Sequence, residues 1–440
     1  MKRKQLLLLL FTLLIISCSK EEHKSLGNNP RRIPAEAIHK LETEQDLDTL
    51  IESIGNAQIV LLGESSHGTA EFYTWRTSIS QRLINEKRFK IIAIVGDWTD
   101  AYQINKYIRG NNSYSSAKVA LKQEFNRWPT WMWANEEVAE LTEWLRSYNT
   151  GRGLNEQVGF YGLDVYSMWE SMEIVLAYLE KNNSSAAEAA RMALHCFAPY
   201  NKNENAYARA TYISTDNCAD ELSTLLETVQ TTIASETPEN EEAFNALQNT
   251  LVAVNAENYY RTAAFNNALS WNIRDRHMTA TIKRLLEQSV PNTKIIVWEH
   301  NSHVGDARAT DMADQGLENV GQQVREQYGE ENTYIIGFGT YSGKVIAAQS
   351  WGNKMQVMDV PQARSNSWEA LLHKHEPANK IIFMHPLSKE QTFQQRIGHR
   401  AIGVVYNPAS ETGNYVPTVV PERYDAFIFL DRTTALTPLQ

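Results

Sequence analysis

Glu64 and His67 stand one helical turn apart in the segment Gly63-Glu64-Ser65-Ser66-His67-Gly68-Thr69. An imidazole titrates near neutrality, so His67 is suited to take a proton from water. Such a base needs a hydrogen-bonding partner that fixes its tautomer and raises its basicity, and Glu64 is close enough along the turn to serve. His300 and His303 repeat the same spacing in Trp298-Glu299-His300-Asn301-Ser302-His303. Each could bind substrate, protonate a leaving group or stabilise an oxyanion. Arg76 lies too far beyond His67 for a contact along one helix, but its guanidinium could lean back to hold an oxyanion or a carboxylate.

Other chemistries lack their signatures. There is no GxSxG elbow, so a serine-acyl mechanism is disfavoured, and neither a P-loop nor GxGxxG occurs. HExxH is missing too; zinc held by His and Glu from both turns stays an alternative, while the reading adopted here has no metal and no other cofactor.

Both turns follow short apolar runs. The runs Ile59–Leu62, Ile91–Val95, Val158–Tyr161, Ile295–Trp298, Tyr334–Phe338, Ile381–Met384, Ile402–Tyr406 and Phe427–Leu430 lack polar alternation and read as buried parallel strands. Acidic or histidine side chains follow the first four, including Gly96-Asp97 and Gly162-Leu163-Asp164. An open α/β sheet gathers such groups at its carboxyl edge. The expected fold is an open, mostly parallel central sheet flanked by helices, with a large helical insertion over about 167–288. Within it, Ser185–Leu194 is Ala-rich, Thr237-Pro238 reads as an N-cap with Pro at N1, and Glu241–Phe265 has helical apolar spacing. Asp97, Trp98, Glu299 and His303 are the expected substrate-side residues. Trp128-Pro129-Thr130-Trp131-Met132-Trp133 reads as core packing or as a wall for a large apolar ligand. Arg274-Asp275-Arg276-His277 reads as a surface ion-pair cluster or as an arm reaching the site.

The balance of 42 Lys and Arg against 52 Asp and Glu argues against a nucleic-acid partner, which calls for a basic face. Lys2, Arg3 and Lys4 precede an apolar stretch from Leu6 to Ile16 that is too short to span a bilayer about 30 Å thick. Ile15-Ile16-Ser17-Cys18 resembles a bacterial lipobox. The resemblance implies a signal peptide over 1–17, a lipid on Cys18 and a tether over 18–35. Ser19, rather than Asp, implies an outer-membrane anchor. Cys196 and Cys218 remain, and export favours a disulfide between them over two free thiols.

At the residues quoted above the chain resembles the erythromycin esterase family. The matching segments are Gly63–Thr69 with Glu71-Phe72 and Arg76, then Gly96-Asp97-Trp98, Trp131-Met132-Trp133 and Tyr161–Asp164. They continue with Trp271–Met278, Trp298 with His300–Arg308, Ala401–Val404 and Asp425-Ala426. The resemblance runs from about 40 to 436. It implies an α/β core with a helical insertion, and hydrolysis of an ester, in namesake members the macrolactone of a macrolide, without a required metal. By position, His67 is implied as the base that activates water, with Glu64 orienting it. Arg76 and His300 would position substrate or stabilise the oxyanion, with His303 nearby. The family usually has a Glu where Val95 stands, so the namesake substrate does not follow from the resemblance; Glu299 could supply a carboxylate from another strand end. The expectation is an envelope-anchored hydrolase of a small-molecule ester or lactone. The alternatives are a non-catalytic lipoprotein that binds a small molecule or glycan, and a role in surface-polysaccharide processing.

Overall fold

The computed structural model describes residues 31–214, 216–237 and 240–439. The expected leader and Cys18 lie outside them. One compact unit begins at Ile33, whose side chain is buried and whose N–H donates to Nε2 of His375 (3.2 Å), so packed structure starts inside the expected tether.

Eleven strands are present among the described residues: β1 (Ile38–Lys40), β2 (Ile59–Leu62), β3 (Ile91–Asp97), β4 (Gly159–Asp164), β5 (Ile295–Trp298), β6 (Thr333–Ala347), β7 (Gln356–Val360), β8 (Lys380–Phe383), β9 (Ile397–Arg400), β10 (Tyr415–Thr418) and β11 (Ala426–Thr433). The main sheet runs β1-β8-β11-β6-β2-β5-β3-β4, with β7 paired to the far end of β6; β9 and β10 form a separate ribbon. All pairings from β11 across to β4 are parallel, while β8, β1 and β7 join antiparallel. The sheet is therefore mixed and mostly parallel. Its central strands are buried on both faces, which is why Ile59-Val60-Leu61-Leu62 is apolar without alternation.

Helices α1 (Asp48–Ile54) and α2 (Ala70–Lys87) flank β2 in sequence. Then α3 (Trp98–Ile108), α4 (Ala117–Glu124) and α5 (Glu136–Asn149) lie between β3 and β4. Six more lead to β5: α6 (Met168–Asn182), α7 (Ala187–Phe197), α8 (Glu204–Ile213), α9 (Ala219–Ile233), α10 (Glu241–Ala263) and α11 (Asn267–Gln288). The first five share an apolar core that includes Met172, Val175, Phe197, Leu222 and Val229, while α11 packs on the main core through Met278, Ile282 and Leu285. A disulfide between Cys196 and Cys218 ties the end of α7 to the start of α9. The N-cap of α10 is Asn240, whose Oδ1 accepts from Glu242 and Ala243 (both 3.1 Å), and not Thr237; Pro238 lies outside the described residues. The short α12 (Asn301–Val304) follows β5.

Two strand expectations change. Ile381–Met384 forms β8, but antiparallel, and Met384 already begins a helix. Ile402–Tyr406 is no strand. It drapes over the carboxyl edge, with Ile402 N–H on the Ser65 carbonyl (2.7 Å) and Val404 accepting from Ala348 (3.0 Å). Ile402 and Tyr406 are buried by that loop contact, while Val405 is exposed, and composition does not separate such a loop from sheet pairing.

Candidate active site

The register of β2 sets the geometry. Leu62 lies opposite Trp298 of β5 and Ile336 of β6, so the turns after β2 and β5 leave one edge side by side. The chain changes from one half of the sheet to the other at this point, where open α/β sheets place their ligand crevice. Close packing follows. A Cβ on Gly63 would stand 2.1 Å from Asn301 Oδ1, and one on Gly68 would stand 2.0 Å from the Ile346 carbonyl oxygen. The Gly68 carbonyl accepts from the N–H groups of both Ile346 and Leu436 (3.0 Å each), which clamps the turn from two sides.

Glu64 is fully buried. Its Oε1 accepts from Nδ1 of His67 at 2.8 Å and its Oε2 accepts from Nη2 of Arg76 at 2.9 Å. Arg76 is also fully buried, with its guanidinium 4.2 Å from the Tyr73 ring centroid and 4.6 Å from that of Trp298. It therefore orients Glu64 and has no surface from which to touch substrate, which alters its expected role. A carboxylate bonded to Nδ1–H places the lone pair of neutral His67 on Nε2. The His67 side chain keeps 15% of its surface exposed.

His300 caps α12. Its Nδ1 accepts from the Ser302 N–H (3.2 Å) and lies 2.9 Å from Ser302 Oγ. The neutral ring then carries its proton on Nε2, which faces the Ser65 backbone without a close hydrogen bond. Burial, and after it the neighbouring imidazoles of His67 and His303, hold His300 well below the usual histidine range, so it stays neutral. The His67 and His300 rings lie 4.8 Å apart, centroid to centroid, tilted by 39°. The two imidazoles thus stand side by side, His67 presenting a lone pair and His300 an N–H.

His303 is fixed on all sides. Its Nδ1 donates to Asp275 (2.9 and 3.0 Å), its Nε2 accepts from Arg274 Nη1 (3.2 Å), and its ring stacks on Trp271 at 4.5 Å. Arg274 grips Asp164 at the end of β4 with two hydrogen bonds, 2.8 and 2.6 Å. Burial pushes the Asp275 carboxyl up and the His303 imidazole down. His303 serves as a wall of the site, with both ring nitrogens occupied. Of the Arg274–His277 segment, Arg274 and Asp275 reach this cluster. Arg276 pairs with Glu318 at the surface, and His277 is buried apart, pushed down to about 3 by burial.

Three other expected residues stand elsewhere. Asp97 accepts from Arg127 Nε (3.0 Å) and the Tyr166 N–H (3.2 Å); Arg127 also pairs with Glu170 of α6 and Glu204 of α8. Trp98 is fully buried, stacked on Tyr102 and Tyr161, with its indole N–H on Asn245 (2.9 Å), so it offers a ligand no face. Glu299 is fully buried, and neither carboxyl oxygen has a partner among the described residues. The charged groups it faces are Asp275 and Arg274 on α11 and Asp164 on β4. Val95, one residue beyond the Ile94–Trp298 pair, is buried, and its carbonyl accepts from Trp133 Nε1 (3.2 Å).

Burial, with Asp275 next, pushes the Glu299 carboxyl well above its usual 4.5. The unfolded chain then releases this proton at lower pH than the folded one, and stability tied to Glu299 is lost as pH rises from about 4.5. Glu299→Gln mimics the protonated acid and is expected to gain thermal stability relative to wild type as pH increases from 4 to 8. A difference in melting temperature that is constant over this range would refute the neutral carboxyl.

Sequence reasoning offered Asp275 only within the Arg274–His277 segment, and missed Asn301 as a site-builder, Tyr73 and Trp271 as ring partners, and Glu369 and His399 altogether. Among the described residues the closely spaced group with metal-ligand chemistry is Cys196, Cys218 and Glu221, where the disulfide occupies both sulfurs.

Comparisons with known proteins bear on the family and the fold. The erythromycin esterase family profile matches residues 84–433. The chain is 23% identical over 421 residues to "Putative hydrolase YbfO" of Bacillus subtilis, covering 89% of this chain and 87% of that protein. It is 22% identical over 395 residues to an erythromycin esterase type II from Escherichia coli, covering 82% and 88%. Among solved structures it is similar to a succinoglycan biosynthesis protein (TM-score 0.72, 19% identity, 91% and 96% covered). It is also similar to a mutant of the erythromycin esterase EreC in its open conformation (TM-score 0.63, 16% identity, 90% and 95% covered).

Proposed function

The chain belongs to the erythromycin esterase family and is a hydrolase; from that premise we propose that it cleaves a carboxylic ester or lactone with water activated by His67. The observation that carries this reading is the Glu64–His67 pair, with an accessible imidazole beside the neutral N–H donor of His300. Water gives a proton to His67 Nε2 as its oxygen bonds to the carbonyl carbon. Glu64, held by Arg76, stabilises the imidazolium through Nδ1–H. His300 Nε2–H donates to the oxyanion. The tetrahedral species then breaks its C–O bond, and the leaving alkoxide takes the proton back from His67, giving one acid and one alcohol.

A macrolide-type macrolactone is the proposed substrate, supported by the name of the type II relative. The test is turnover of a panel of macrolides and simple esters by wild type and His67→Ala. Turnover that disappears with His67 supports the reading; no turnover of any of them returns the site to small-molecule or glycan binding.

We further propose that Cys18 carries a lipid and anchors the protein in the cell envelope, on the outer membrane where there is one. The sequence Ile15-Ile16-Ser17-Cys18 after its apolar stretch supports this. Cys18→Ser is expected to move the protein from the membrane to the soluble fraction and to abolish incorporation of labelled fatty acid. Equal labelling of both forms would sink the anchor.

A further inference from the structure

Another imidazole–carboxylate pair lies behind the two turns, and the mechanism above does not use it. His399 stands on β9 and Glu369 on the short helix Trp368–His373, both buried. Glu369 Oε1 accepts from Nδ1 of His399 (2.6 Å) and from the Arg400 N–H (2.9 Å). Burial opposes charge on Glu369, but His399 and Arg400 outweigh it and hold the carboxyl below its usual range. Burial holds His399 down, and with Nδ1 on the Glu369 carboxylate and the Asn301 NH₂ facing Nε2 the geometry puts the ring proton on Nδ1.

That tautomer leaves Nε2 as an acceptor. Two donors face it: Asn301 Nδ2 at 3.3 Å and the Tyr424 hydroxyl at 3.1 Å. The Asn301 amide is otherwise spent on β6, with Nδ2 donating to the Phe338 carbonyl (2.7 Å) and Oδ1 accepting from the Phe338 N–H (3.2 Å). Turning the amide over would set its oxygen against the Phe338 carbonyl and the His399 lone pair, leaving buried donors and acceptors mismatched. Asn301 is the joint between the catalytic turns. Its N–H donates to the Glu64 carbonyl (2.8 Å), its carbonyl accepts from Arg423 (2.8 Å), its Oδ1 packs on Gly63, and it directly follows His300.

We propose that Glu369 and His399 are positioning residues: they lock the Asn301 amide and thereby hold the Glu64–His67 turn in register with His300. This rests on the hydrolytic reading for its kinetic consequence, but not for its structural one.

The test pairs His399→Gln, whose amide oxygen can replace the Nε2 acceptor, with His399→Leu, which has none. Nitrogen-15 NMR of wild type is expected to show His399 neutral and protonated on Nδ1 at pH 6.5. Exchange of the Asn301 amide hydrogen is expected to quicken in His399→Leu and to return toward wild type in His399→Gln. For an ester the protein hydrolyses, kcat is expected to fall roughly 10–100-fold in His399→Leu with KM unchanged, and His399→Gln to recover most of it. A wild-type His399 protonated on Nε2, or a folded His399→Leu with wild-type exchange and kcat, overturns the proposal. Absence of turnover on every ester would overturn the hydrolytic reading alone, because the tautomer and the exchange still decide the positioning. Should His399→Leu not fold, the wild-type tautomer and the exchange in His399→Gln decide it.

Discussion

His67→Ala is expected to lower kcat/KM for the ester that wild type hydrolyses by about 10²–10⁴-fold, the range in which positioned proton transfer usually contributes. The substitution removes the acceptor for the water proton and the group that returns it to the leaving alkoxide. It leaves the sheet intact, because the turn is held by backbone bonds from Gly68 to Ile346 and Leu436 rather than by the imidazole. The fold should therefore melt near the wild-type temperature while turnover collapses. Glu64→Gln should go the same way for a different reason. An amide can present its NH₂ to Nδ1 and turn the lone pair of the ring away from Nε2, and in the serine-protease triad such a tautomer error costs roughly 10⁴-fold. Steady-state kinetics beside thermal melts separate these outcomes. Retention of wild-type kcat/KM by folded His67→Ala would exclude His67 as the base.

The second large effect is on stability. Arg76→Leu is expected to cost about 3–5 kcal/mol, the range seen when one partner of a buried ion pair is removed. Arg76 and Glu64 are both fully buried, and Glu64 Oε2 has Arg76 as its hydrogen-bond partner. The double variant Arg76→Leu/Glu64→Gln should recover much of the loss, because the remaining buried group is then neutral; removing each in turn and both together isolates the coupling. Denaturant unfolding measures this directly. A single Arg76→Leu variant as stable as wild type would mean that the guanidinium does not hold the carboxylate.

The two halves of the site were legible to different degrees, for a physical reason. Glu64 with His67 is a contact within one turn of chain, so residue type and spacing reveal it. The strands on either side were legible because burial on both faces forbids polar residues, as in β2 and β5. Strand direction was not, since an apolar run such as Ile381–Phe383 reads the same in either sense. The partners that decide roles came from afar. Arg76 reads in sequence as a group for the substrate; it became a support for Glu64 because Tyr73 and Trp298 enclose it. His303 lost its expected contact with substrate to Asp275 on α11, and Trp98 lost its own to Tyr102, Tyr161 and Asn245. Glu369 and His399 had no signal, because neither lies in a strand-end turn and their pairing depends on where β9 falls.

The place of β2 has a consequence for how the molecule comes into being. His67 and Glu64, the proposed base and its carboxylate, are made early, directly after a strand whose two neighbours, β5 and β6, are synthesised late. The pairings that hold it are long-range, the kind that slow folding because a large loop must close before any contact stabilises it. An N-terminal fragment ending within the helices before β5 would contain Glu64, His67 and Arg76 yet have no His300, no Trp298 over the guanidinium and no neighbour for β2. Competence thus arrives late in the life of the chain, with the closing of the centre of the sheet, and a nascent or prematurely terminated product carries the motif without its power.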